Sequence, residues 1–111
     1  IASDVPHVLE LVGLTDKFWS FPHQLSAGEK QRVAIARAIV NQPDILIADE
    51  PTANLDPINT FEVIQIFKKI NGLGTTVLLT THNKAVVDAL GRRVITMDSG
   101  RLVRDDKNDK R

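Results

Sequence analysis

Residues 45–56 read ILIADEPTANLD. Ile45, Leu46, Ile47 and Ala48 are four apolar residues without alternation, a pattern that suits a strand covered on both faces, as in a parallel sheet. Asp49 and Glu50 follow at once, and Pro51 makes further strand pairing unfavourable. Two carboxylates are thus expected at the carboxyl end of a buried strand, where open α/β sheets place their ligands. One acid there can hold a hard cation such as Mg²⁺, and an adjacent one can orient or deprotonate a water. The plainer alternative is two acids that end a strand and face solvent.

Working outward, Leu25-Ser26-Ala27-Gly28-Glu29 precedes a helical run that Asn41-Gln42-Pro43 ends. Ser26 and Glu29 stand at capping-box spacing. A helix start also offers free N–H groups and a positive dipole end to an anion, and Gly28 permits close approach to the backbone. Capping and anion binding are both open on these residues alone. After the central stretch, Asp56 is placed to cap a helix with Pro57 at its first position. Phe61, Ile64, Phe67 and Ile70 supply an apolar face at intervals of three. Asn71, Gly72 and Gly74 break that helix, and Thr75 to Thr80, TTVLLT, reads as a second buried strand. Strand, helix and strand form a βαβ unit, expected to be parallel and right-handed.

Thr81 and His82 follow the second strand as Asp49 and Glu50 follow the first. Parallel neighbouring strands would bring His82 to the edge that carries the acids; a capping or surface role is the alternative. Asn83 to Leu90 reads as a short helix closed by Gly91. Arg93 to Met97 reads as a third strand, with Asp98-Ser99-Gly100 as a turn and Arg101 to Val103 as the returning strand. Arg104 to Arg111 is entirely polar and is expected to be a solvated tail. Before Leu25, Ser3, Asp4 and Pro6 suggest a helix start. Phe18, Trp19 and Phe21 cluster without a period, open to reading as core or as a partner contact. His7 and His23 have no chemical company.

The 111 residues suit one domain, and 42% hydrophobic content can supply a core. Fourteen basic and fourteen acidic residues balance, so no nucleic-acid footprint is expected. There is no cysteine, which excludes disulfides and thiolate metal sites. No apolar run approaches the ~18 residues of a membrane span.

In order, these pieces resemble the ABC ATPases. LSAGEKQRVAIARA is similar to their signature motif, ILIADE to the Walker B strand with the catalytic glutamate, ANLD to the D-loop and TTH to the switch histidine. The four stand in family order over Leu25 to His82, and similarity continues to about Asp105. The resemblance implies a P-loop NTPase (RecA-like) α/β fold, ATP and Mg²⁺ as ligands, and activity as an ATPase homodimer. The dimer would work on the cytoplasmic face of the membrane through an integral membrane partner. The cell-division branch resembles the chain in most detail; lipoprotein-release and macrolide-export ATPases are near relatives. It further implies that Asp49 holds Mg²⁺ through its water shell, Glu50 is the general base and His82 contacts the γ-phosphate. Ser26, Ala27, Gly28 and Glu29 would meet ATP bound to the opposite subunit. Asn54, Leu55 and Asp56 would lie at the dimer interface.

By the same resemblance, residues 1–103 would be the C-terminal part of the ATPase domain. Residues 1–42 would be helical subdomain, 43–103 nucleotide-binding core and 104–111 tail. Two positions depart from the family pattern: Ala27 and Ala53 stand where relatives often carry glycine. Ala27 would be strained if its φ had to be positive and harmless if helical. No G-x-x-x-x-G-K-[ST] occurs among the six glycines. The chain is therefore expected to be a C-terminal half that is inactive alone, and a catalytically dead interaction module is the reading of another class.

Overall fold

The computed structural model describes residues 11–13 and 25–107. The expectations for Ser3, Asp4, Pro6, His7, Phe18, Trp19, Phe21 and His23 lie outside them. The described residues divide after Thr80 into two units.

In the first unit, helix α1 (Ala27–Ile39) begins at the expected capping box. Ser26 Oγ accepts from the Glu29 N–H at 3.1 Å, and Glu29 Oε1 accepts from the Ser26 N–H at 3.0 Å. Strand β1 (Ile45–Asp49) follows. Helix α2 (Pro57–Gly72) has Asp56 as N-cap and Pro57 in its first turn. The Asp56 carboxylate accepts from the Asn59 N–H at 2.7 Å. Strand β2 (Thr76–Thr80) then pairs with β1 in parallel, Ile45 opposite Thr76 and Asp49 opposite Thr80. The expected βαβ unit is formed.

One face of this strand pair carries the core. Leu46, Ile35, Ile39, Val63, Ile66, Phe67 and Ile70 are buried together with Val12, and Ala48, Val77 and Leu79 pack against them. Burial of Val63, Ile66, Phe67 and Ile70 follows the i, i+3, i+4, i+7 stripe of a helix laid on a sheet. Within these 111 residues only one face of the strand is covered. Ile45 and Ile47 are 60% and 68% exposed, and Leu78 beside Ile47 is 54% exposed. The reason is geometric: successive strand residues point to opposite faces, and the helices α1 and α2 share a core only with the Leu46 side. Phe61, expected in the apolar face of α2, is likewise 60% exposed. It lies two residues before Val63, so it points away from the stripe that Val63 begins.

The second unit holds helix α3 (Lys84–Leu90), strand β3 (Val94–Asp98) and strand β4 (Arg101–Asp106). Asn83 caps α3 through the Ala85 N–H, and Gly91 ends it with φ 61°. β3 and β4 form an antiparallel hairpin around Ser99 and Gly100, whose φ values are 53° and 78°. Two left-handed residues in succession are what a right-twisted two-residue hairpin needs.

β4 runs three residues beyond the expected Val103, to Asp106. Ladder pairing and charge pairing hold this polar segment. The Arg93 guanidinium donates through Nε to Asp105 Oδ1 at 3.0 Å and through Nη2 to Oδ2 at 2.7 Å. This bidentate bond, with the charges of Arg93 and Lys107, lowers the Asp105 pKa from the usual carboxylate range. A lowered folded-state pKa stabilises above the unfolded value of about 3.9 and is lost as pH falls through the lowered one. An NMR titration of the Asp105 carboxyl is therefore expected to have its midpoint below that of ordinary aspartates. Arg93→Ala should move it back up, and an ordinary midpoint in the unsubstituted protein would contradict the pairing.

Candidate functional site

The site is built where β1 ends. Asp49 is the last residue of the strand and lies in register with Thr80, the last of β2. The Thr80 hydroxyl donates to Asp49 Oδ1 at 2.5 Å, orienting the carboxylate while its second oxygen can still accept. The Glu50 N–H donates to the Thr80 carbonyl at 2.8 Å, so the ladder reaches Glu50. There the backbone turns: Glu50 has φ 47°, an uncommon conformation for a residue with a Cβ. Such departures cluster at functional sites. The turn separates the two acids in direction, so neighbours in sequence can serve different purposes.

The turn continues through Ala53 N–H to Glu50 carbonyl at 3.1 Å and Leu55 N–H to Thr52 carbonyl at 3.2 Å. Pro51 and Thr52 are buried beneath it. Asn54 takes the left-handed conformation, φ 65°, which asparagine tolerates well. Asp56 then starts α2. Thus Asn54, Leu55 and Asp56 join the acids to the start of α2. Ala53 is not among the residues with positive φ, and neither is Ala27, the first residue of α1. The strain raised for an alanine at position 27 does not arise.

α1 and α2 run side by side in the same sense. Gly28 near the start of α1 lies against Asn59 near the start of α2. One turn later, Arg32 Nη1 donates to Glu62 Oε1 at 3.0 Å. The Ser26–Glu29 segment therefore stands at the same end of the helix pair as the Asn54–Asp56 segment. Ser26 and Ala27 are exposed, Glu29 is half-buried and Gly28 is buried. The Ser26 Oγ already accepts the Glu29 N–H, which leaves its own O–H to donate to an anion.

His82 is exposed and sits two residues past Thr80, in the turn that caps α3, where Asn83 N–H donates to Thr81 Oγ1 at 3.0 Å. Residue-by-residue reading missed Thr80, Asn59 and the Arg32–Glu62 pair. Thr80 was findable, because it ends β2 as Asp49 ends β1; Asn59 carries no local signal for its neighbour. A hollow of about 400 Å³ lies between the C-terminal ends of α1 and α2, lined by Ile39, Pro43, Ile70 and Leu73. It is at the end of β1 away from the acids, so size does not mark the site.

The residues present suit a hydrated hard cation. The described residues contain no group of three His, Cys, Asp or Glu side chains that could cage a metal. A single oriented carboxylate is what Mg²⁺ asks of a protein when it keeps several waters.

A family model described as ABC transporter matches residues 2–53. The cell division ATP-binding protein FtsE of Streptococcus pneumoniae serotype 2 is 57% identical over 92% of this chain and 44% of its own. FtsE of Bacillus subtilis is 53% identical over 96% of this chain and 46% of its own. Among solved structures, cbiO1 of Clostridium perfringens, part of the ABC transporter complex cbiONQ, superposes with a TM-score of 0.89. It is 34% identical, over 98% of this chain and 43% of that one. An ATP-binding cassette of an ABC transporter superposes with a TM-score of 0.90 at 21% identity, over 98% of this chain and 43% of that one, a likeness of fold alone. The chain is similar over most of its length to ABC transporter ATPases, and its fold is that of their P-loop NTPase nucleotide-binding domain. Within that family it is similar to FtsE at 52–57% identity. It spans somewhat less than half the length of these relatives.

Proposed function

We propose that the full-length protein hydrolyses ATP as a homodimer and drives an FtsX-like integral membrane protein in cell division. The observation that carries this reading is the parallel register of Asp49 with Thr80, which sets the acids at one strand edge beside the left-handed turn at Glu50. Identity of 57% to a cell-division ATP-binding protein, against 46% to a methionine import ATP-binding protein of Leifsonia xyli, supports the choice of process. No described helix is long and apolar enough to cross a membrane. On this reading the protein is held at the cytoplasmic face of the membrane by its partner, and no nucleic acid takes part.

In the mechanism, Asp49 would hold Mg²⁺ through water, with Thr80 fixing one carboxylate oxygen. Bound there, the cation would offset charge on the phosphates. Glu50, turned out of the strand, accepts a proton from the attacking water. His82 contacts the γ-phosphate and steadies that water. Ser26, Ala27, Gly28 and Glu29 meet the nucleotide of the opposite subunit through the hydroxyl of Ser26 and the N–H groups at the start of α1. Asn54, Leu55 and Asp56 lie across the subunit boundary. Positioning and charge stabilisation of this kind are most of what phosphoryl transfer requires.

The 111-residue chain has no glycine-rich phosphate loop, and on its own it is expected neither to bind MgATP tightly nor to turn it over. Titration with a fluorescent ATP analogue, beside a phosphate-release assay, checks this. Micromolar affinity together with turnover by the 111 residues alone would overturn it.

A further inference from the structure

Gly28 has no backbone reason to be glycine. It lies in the first turn of α1 and is not among the residues with positive φ. Glycine is unfavourable in a helix unless the missing side chain is needed. The space beside it has an occupant. A Cβ on Gly28 would overlap Asn59 Oδ1 and stand 2.5 Å from its Cγ and 3.0 Å from its Cβ. Gly28 is correspondingly buried, while Ser26 and Ala27 just before it are exposed.

Asn59 is tied at its other end. Its N–H donates to the Asp56 carboxylate at 2.7 Å, the bond that caps α2. Its neighbour on the next turn, Glu62, pairs with Arg32 of α1. The start of α2 is thereby seated in a notch at the start of α1, and the ion pair repeats the contact one turn further along.

We propose that Asn59 is a positioning residue: its side chain fills the space that glycine at 28 leaves open and fixes the Ser26–Glu29 segment against the Asn54–Asp56 segment. The consequence rests on the function proposed above. If both segments face the second subunit, holding them as one piece sets their spacing before the dimer closes.

The test uses the full-length protein and separates packing from function. In thermal denaturation without nucleotide, Gly28→Ala is expected to lower the Tm by several degrees. Asn59→Ala, which removes Oδ1 and Cγ, should recover most of that loss in the Gly28→Ala background. An undiminished loss in the double variant would overturn the seat. The functional half is read in a Glu50→Gln background by sedimentation with MgATP. Asn59→Ala is expected to raise the protein concentration needed for half dimerisation by about tenfold, with the KM for ATP of the Glu50-intact protein unchanged. Asn59→Asp, of equal size, should restore dimerisation. Wild-type dimerisation with Asn59→Ala would refute the positioning role. If the Glu50→Gln protein itself fails to dimerise with MgATP, the dimer reading fails, and the Tm comparison still decides the seat.

Discussion

Glu50→Gln in the full-length protein is expected to cut ATP turnover by about 10²–10⁴-fold, the usual cost of losing a general base, with nucleotide binding kept. Glutamine has nearly the size and hydrogen-bonding reach of glutamate but cannot take a proton from water at neutral pH. The backbone of residue 50, donating to the Thr80 carbonyl, is untouched by the change. On the proposed function, hydrolysis ends the ATP-bound dimer, so the variant should accumulate as a dimer that holds nucleotide. Asp49→Asn should behave differently. It removes the charge that Thr80 orients, and on the role proposed for Asp49 it should weaken Mg²⁺-dependent binding itself. Size-exclusion chromatography with and without MgATP, beside phosphate release, distinguishes the two. Hydrolysis by the Glu50→Gln protein at the parental rate would show that the base has been assigned to the wrong residue.

Phe67→Ala is expected to be the most damaging core substitution, at about 3–5 kcal/mol. Phe67 is 2% exposed and lies within the cluster that joins α1, α2 and β1. A loss of that size approaches the whole margin of a typical domain, about 5–15 kcal/mol. Phe61→Ala removes the same side chain six residues earlier on the same helix, from a position 60% exposed, and should cost much less. Urea denaturation of both variants in the full-length protein gives the comparison. Equal losses would contradict the observed phase of α2, in which Val63 rather than Phe61 begins the buried stripe.

Elements whose causes lie within a few residues were legible in the chain. Ser26 with Glu29, Asp56 with Pro57 and Asn83 are caps made by side chains that reach backbone groups two or three positions away. Gly91 and the Ser99-Gly100 turn depend on conformations that those residues adopt cheaply or that hairpin twist demands. The acids after an apolar run located the strand end for the same reason. The order of the four motifs, from LSAGE to TTH, carried the family.

Contacts between distant parts of the chain were not legible. An uninterrupted run such as ILIA has no phase, so nothing local says which face α1 and α2 cover; within these 111 residues it is the Leu46 face. In the same way, intervals of three from Phe61 describe a helix face as well as intervals from Val63 do, and only the sheet beneath selects between them. The contact of Thr80 with Asp49 depends on parallel register, which joins residues thirty-one apart. Asn59 meets Gly28 because two helices lie side by side, and neither residue type indicates the other. Sequence by itself determined the elements, their caps and the place of the two acids at the strand end. Only the tertiary structure decided which faces are buried, how the acids are held and what fills the space beside Gly28, because those depend on partners that backbone propensity does not see.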